Sequence, residues 1–162
     1  MAGDTWRTPQ IRATVDGVPQ PVARPLVDPT TSATLAMLAT ASIGAIFSSA
    51  SPDFGVQGVL DRFGQIAPKV LFACDGYYYN GKVIDCLGKV AEIAARMPSL
   101  ERVVIVPYAG SGADIAAVKH GVSLADFLAP FAGEREIRFE RLPFDHPLYI
   151  LYSSGTTGVP KC

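Results

Sequence analysis

Tyr149-Ile150-Leu151-Tyr152-Ser153-Ser154-Gly155-Thr156-Thr157-Gly158-Val159-Pro160-Lys161 is a short apolar run that opens directly into hydroxyls, glycines and a lysine. Tyr149 to Tyr152 has the composition of a strand, and the abrupt change to Ser, Thr and Gly marks a loop at its end. Gly155 and Gly158 permit positive φ and let the backbone approach a ligand closely. Successive amide N–H groups in such a loop can converge on an anion. The hydroxyls of Ser153, Ser154, Thr156 and Thr157 add donors without bulk, and Lys161 adds a positive charge behind the stiff Pro160. Hydrogen bonds to a charged group contribute about 1.5–3 kcal/mol each, so a few of them suffice to hold a polyphosphate. Two residues separate the glycines and a proline precedes the lysine, so this is not a Walker A loop, which needs four residues between its glycines and Ser or Thr after its lysine. An ordinary Ser/Thr/Gly turn is the plain alternative, and the density of donors argues against it.

Upstream, strand-like and helix-like stretches alternate. Ala33 to Phe47 is small and apolar nearly all round, which predicts a helix packed on several sides. Ser51 to Gly55 reads as a turn with Asp53 as the helix cap. Val56, Val59, Leu60, Phe63 and Ile66 then recur at helical spacing until Pro68. Lys69 to Cys74 and Arg102 to Val106 read as buried strands, and Val83 to Met97 reads as a helix between them. Ser123 to Leu128 reads as a short helix capped by Ser123, with Asp126 in the capping-box position. Strands alternating with helices of this length predict an α/β fold with a mostly parallel sheet flanked by helices. Residues 1–32 differ: Pro9, Pro19, Pro21, Pro25 and Pro29 interrupt any period, so they read as an extended, poorly ordered arm, with at most a short strand near Ile11 to Val15.

Bulk properties narrow the function classes. The chain has 162 residues, a formal net charge of −1 and 49% hydrophobic residues, with Lys and Arg scattered, which gives no electrostatic reason to expect nucleic acid. Leu35 to Phe47 is shorter than the roughly 20 residues needed to span a bilayer. It is also an unlikely leader in physical terms, because proline and the acidic Asp4, Asp16 and Asp28 precede it. Cys74, Cys86 and Cys162 are odd in number and have no zinc-type spacing with His120 and His146, so reduced thiols, no bound metal and a cytoplasmic location are expected.

Tyr152 to Lys161 resembles the nucleotide-binding signature of the adenylate-forming family, which includes acyl-CoA synthetases, luciferases and peptide-synthetase adenylation domains. Further stretches resemble the acetoacetate-activating members of that family: Leu35 to Gly55, Gly58 to Phe63, Tyr79-Asn80-Gly81-Lys82 and Phe144 to Tyr149. The resemblance runs from about Leu35 to Cys162. It implies that residues 33–162 are an incomplete part of the large N-terminal, AMP-binding domain of such an enzyme.

The resemblance implies an acid–thiol ligase. A carboxylate, acetoacetate above all, attacks the α-phosphate of Mg-ATP, pyrophosphate leaves, and the thiol of coenzyme A captures the acyl-adenylate. Carried over by position, Ser153, Ser154, Gly155, Thr156, Thr157, Gly158 and Lys161 would contact the ATP phosphates. Lys82 would lie near the 3′-phosphate of coenzyme A; the alternative for it is a solvated lysine at a helix start. No catalytic residue falls within the chain, because the family's magnesium-binding acid, ribose-binding aspartate and mobile C-terminal domain match nothing here. The chain by itself is therefore expected not to exchange ATP with pyrophosphate. A ligase for acetate, propionate or another short acid, and a non-catalytic remnant that binds nucleotide weakly or not at all, remain as alternatives. His146 reads as structural, and Tyr77-Tyr78-Tyr79 as packing at a turn, since three successive residues cannot share one face.

Overall fold

The computed structural model describes residues 14–15, 18–19, 29–110, 114–153 and 160–162. Most of the proline-rich arm lies outside them. Within it, β1 (Thr14–Val15) pairs antiparallel with β2 (Val18–Pro19). Helix α1 (Pro29–Ser42) then leads to β3 (Phe47–Ser48), α2 (Val56–Ile66) and β4 (Val70–Cys74). A hairpin of β5 (Gly76–Tyr79) and β6 (Lys82–Asp85) precedes α3 (Leu87–Arg96) and β7 (Arg102–Val106). The described chain continues through β8 (Gly121–Ser123) and α4 (Leu124–Leu128) to β9 (Tyr149–Ile150).

Three parallel strands in the order β4-β7-β8 form the central sheet. Strand β7 holds its middle, which explains why Val103 to Val106 is a continuous apolar run: Val103 and Val104 are wholly inaccessible, with Ile105 and Val106 close behind. Val103 and Ile105 face α2 and α3, whose apolar stripes supply Val59, Phe63, Leu87, Val90, Ile93 and Ala94. Each such side chain fully buried contributes about 1.5–3 kcal/mol, so this contact is the main source of cohesion in the described chain. Helix α2 stops where Ala67 adopts a left-handed conformation (φ 47°) and its N–H bonds the Phe63 carbonyl, one residue before Pro68. Helix α4 begins as its sequence indicates, with Ser123 Oγ accepting from the Asp126 N–H. The α/β class and the mostly parallel pairing agree with the sequence reading.

Several local expectations need correction. Val83 and Ile84 are not helical: they lie in β6, and α3 starts at Leu87. Asn80 (φ 50°) and Gly81 (φ 73°) form the two-residue turn of the β5–β6 hairpin, the conformation that Asn-Gly favours. Tyr77 to Tyr79 are therefore strand residues, with Tyr77 packed on the core and Tyr78 and Tyr79 exposed. Helix α1 begins at Pro29 rather than Ala33, with proline suited to a first helical position, and ends at Ser42, five residues before Phe47. A left-handed Gly44 (φ 72°) turns the chain into β3. The cap of α2 is the Gly55 backbone, with no side-chain bond from Asp53. Strand β8 escaped notice because its three residues, Gly-Val-Ser, carry little strand signal.

Burial also departs from expectation. Strand β4 is an edge strand that turns Leu71 and Ala73 to the core and leaves Val70 and Phe72 about 40% accessible. On that second face Phe127 of α4 meets Phe72 edge-on, with ring centroids 5.9 Å apart. None of the described α1 side chains is fully buried, and Leu35 and Leu38 are exposed, so the helix is not enclosed by the described residues.

Candidate nucleotide phosphate site

The apolar run quoted at the outset begins as β9, which pairs parallel with β3 in the register Phe47↔Tyr149 and Ser48↔Ile150. The Phe47 N–H donates to the Leu148 carbonyl (2.9 Å) and Ser48 Oγ donates to the Ile150 carbonyl (2.8 Å), so β3 fixes where the strand ends. Tyr152 then leaves the strand and turns inward. Its ring lies against Phe63 of α2, with centroids 6.3 Å apart and planes at 47°. The Tyr152 hydroxyl is buried without a hydrogen-bond partner among the described residues.

Next come the two ends of the glycine loop, brought together. Ser153 and Lys161 form an antiparallel bridge in which the Ser153 N–H donates to the Lys161 carbonyl (3.0 Å) and the Lys161 N–H to the Ser153 carbonyl (3.4 Å). The Ser153 hydroxyl adds a longer contact to the same Lys161 carbonyl at 3.5 Å. This bridge closes a neck, and both of its side chains are exposed. Ser154, Gly155, Thr156, Thr157 and Gly158 fall outside the described residues. The neck is tied to α2 by Gln65, whose Nε2 donates to the Pro160 carbonyl (2.7 Å). Chemically, the neck offers hydroxyl and ammonium donors, which suits an anion.

Lys82 opens β6 directly after the Asn80-Gly81 turn and is exposed. It sits on the hairpin, an element separate from the neck, and begins a strand rather than a helix.

Asp75, directly after β4, organises the C-terminal end of the central sheet. It is 6% exposed, and its Oδ1 accepts from the Tyr108 and Ala109 N–H groups (2.8 Å each) while Oδ2 accepts from Gly110 (3.1 Å). Hydrogen bonds to an ionised carboxylate are stronger than neutral ones, and three of them pin the loop after β7 against the hairpin. The neighbouring Gly76 is equally constrained, since a Cβ there would meet the Ile84 carbonyl at 2.8 Å. An acidic residue ending an apolar strand was the available signal, but its partners lie more than thirty positions away.

His146 ties the segment before β9 to the turn after α1: its Nε2 lies 3.0 Å from the Gly44 carbonyl, which can only accept, so that nitrogen carries the proton. Cys74 and Cys86 lie beside each other next to Asp75 and influence each other's titration. Burial, and then the neighbouring Cys74, push the Cys86 thiol up to about 11, and burial raises Cys74 as well. Such thiols are poor nucleophiles near neutrality. Among the described residues no group of three or more His, Cys, Asp or Glu side chains is placed to hold a metal ion. No described helix is long and apolar enough to cross a membrane.

Comparison with known proteins fits this geometry. Residues 26–162 match the family model described as AMP-binding enzyme. The acetoacetyl-coenzyme A synthetase of Rhizobium meliloti (strain 1021) is 64% identical over 127 residues, covering 78% of this chain and 19% of that protein. The acetoacetyl-CoA synthetase of Gallus gallus is 53% identical over 131 residues, covering 78% and 20%. The malonamoyl-CoA synthetase vrtB of Penicillium aethiopicum is 45% identical over 136 residues, covering 81% and 19%. Among solved structures, the acetoacetyl-CoA synthetase from Streptomyces lividans superposes with a TM-score of 0.70 at 42% identity, over 83% of this chain and 19% of that one. The chain thus spans about a fifth of the length of the curated relatives it matches. With the family model covering most of its residues, the chain belongs to the AMP-binding enzyme family.

Proposed function

We propose that the chain supplies the ATP phosphate loop of an AMP-forming acid–thiol ligase that activates acetoacetate and transfers the acyl group to coenzyme A. The observation that carries this reading is the closed Ser153–Lys161 neck at the end of a strand in parallel pairing, which mounts a loop of small donors at a strand's C-terminal end. In the first half-reaction a carboxylate oxygen attacks the α-phosphorus of ATP, and the bond to the β-phosphate oxygen breaks as pyrophosphate leaves. In the second, the sulfur of coenzyme A attacks the acyl carbon and AMP leaves. The hydroxyls of Ser153, Ser154, Thr156 and Thr157, the backbone at Gly155 and Gly158, and the Lys161 ammonium hold the β- and γ-phosphates and offset charge on the leaving group. Magnesium enters with ATP as part of the substrate. Lys82 is the proposed contact for the coenzyme A 3′-phosphate. We assign no proton transfer to a residue of this chain.

The substrate class rests on two relatives. Acetoacetyl and malonamoyl groups are both short acyl chains with a second carbonyl β to the thioester, unlike acetyl or propionyl. That shared chemistry favours a short 3-oxo acid over a plain short acid. The proposed partners are the small-molecule carboxylate, ATP and coenzyme A. A cytoplasmic setting suits ATP, coenzyme A and three free thiols. We assign residues 33–162 to the AMP-binding domain and residues 1–32 to an arm preceding it.

The test is a graft. Residues 35–162 replace the matching stretch of the Rhizobium meliloti relative, and acetoacetate-dependent ATP–pyrophosphate exchange is measured. Exchange is expected to survive the graft and to fall about 100-fold with Lys161→Ala, the scale of losing one charge-stabilising donor. Exchange indifferent to Lys161→Ala would overturn the assigned role of the loop, and exchange driven better by acetate or propionate would overturn the substrate class.

A further inference from the structure

We infer that Gln65, on the last turn of α2, is the positioning residue for Lys161, gripping both of its chain neighbours so that the lysine is aimed away from the helix. The inference rests on the reading of the loop as a phosphate site. Every polar atom of the Gln65 amide is engaged. One Nε2 hydrogen goes to the Asp61 carbonyl in its own helix, which braces the side chain, and the other goes to the Pro160 carbonyl at 2.7 Å. The amide oxygen accepts from the Cys162 thiol at 3.4 Å. Carbonyl oxygens only accept, so this network sets which way the amide faces.

The geometry then determines where Lys161 points. Lys161 is bridged to Ser153 as an extended residue, and in extended chain successive side chains alternate between faces. The Cys162 side chain meets Gln65 on the α2 side. The Lys161 side chain, one residue earlier, is therefore directed to the opposite face, where it is exposed, and the Pro160 carbonyl held by the same glutamine fixes the backbone beside it. On the inner side Tyr152, packed on Phe63 of the same helix, fixes the other end of the neck. Helix α2 thus holds both ends of the loop, one through an aromatic contact and one through an amide. Without the glutamine, the Ser153–Lys161 bridge would lose the anchor that holds it and would open more often. A lysine free to sweep a wide arc loses more entropy when it is fixed on an anion, and binding weakens accordingly.

The experiment uses the grafted Rhizobium meliloti enzyme with Gln65→Ala and Gln65→Met, the second keeping the length of the side chain without its polar atoms. Two quantities are read: amide hydrogen exchange at Ser153 and Lys161, and the affinity for inorganic pyrophosphate with magnesium. Both variants are expected to speed exchange at those two amides about tenfold and to weaken pyrophosphate about fivefold, the order of one or two lost hydrogen bonds. Exchange at Val59 and Phe63 and the unfolding midpoint are expected not to move, which separates aiming the loop from supporting the helix. Unchanged exchange at Ser153 and Lys161, or pyrophosphate held equally well by both variants, overturns the clamp alone. Failure of the unaltered graft to bind pyrophosphate overturns the phosphate reading, and the clamp's role with it.

Discussion

In the half of the chain built from α2, α3 and β7, Val103 and Val104 have no accessible surface, and the helices that face the sheet bury their apolar stripes. In the segment that leads into β9 and the loop, Phe139, Phe144 and Leu151 are 72%, 108% and 78% exposed. Both regions are rich in large apolar side chains, and their local sequences give no hint that one would be sealed and the other open. The first half closes upon itself because its elements are consecutive: β4, α3 and β7 form a strand–helix–strand unit whose helix packs back onto the sheet. The second depends on pairing across a hundred residues, β3 with β9, through only two residues of each strand. A two-stranded parallel pair of that length buries little, so the described residues leave its flanks accessible. Stability and candidate function are therefore housed apart, and the link between them is α2, whose Phe63 and Gln65 reach the base of the loop.

The sharpest way to break this contrast is a charge in the sealed half. Val103→Asp should cost more than about 4 kcal/mol and abolish cooperative unfolding, since an unpaired carboxylate has no partner between α2, α3 and the sheet. A native-like circular dichroism melt for that variant would show that the core is not where the stability resides. Next in size, Asp75→Asn should cost about 1–3 kcal/mol by replacing an ionised acceptor with a neutral amide. Hydrogen exchange at Tyr108, Ala109 and Gly110 should quicken with it, and unaltered exchange there would remove the carboxylate as the loop's anchor.

The thiols sharpen the same contrast with a smaller effect. Alkylation at pH 8 should reach the exposed Cys162 first and the buried Cys86 last. Because folding raises the Cys86 thiol from an ordinary 9.0 to about 11, the folded chain keeps that proton longer than the unfolded one. The associated stability is intact below pH 9 and is lost as pH climbs towards 11. Equal labelling rates at Cys86 and Cys162 would contradict the burial on which this rests. Smallest of all, Phe144→Ser should change the unfolding free energy by no more than about 0.5 kcal/mol while slowing aggregation, as expected for a side chain with no cover. A loss comparable to that of a core substitution would mean that the flank is packed after all.

Much of this architecture was legible in the residues themselves. Helical spacing from Val56 to Ile66, the apolar strands before Cys74 and Val106, and the Ser123 cap with Asp126 are local signals, and the structure follows them. The start of α3 is the exception, although its signal is local too. Asn80-Gly81 marks a hairpin, but Val83 and Ile84 continue the helical period of Leu87, Val90 and Ile93, so the period alone runs past the turn. At the loop, residue types alone indicated anion binding, because glycines, small hydroxyls and a lysine behind a strand carry that chemistry wherever they are placed.

What residue order determined by itself was most of the helices and strands and the donor-rich composition of the loop, since backbone propensity and side-chain chemistry act within a few positions. Only the tertiary structure decided which apolar faces are covered. It also decided that Asp75 is a buried anchor for three amides, and that Gln65, ninety-five positions before Pro160, stands under the loop. Those outcomes depend on elements meeting across long loops, where the energy of contact is realised only after the chain has closed on itself, and no short-range pattern records it.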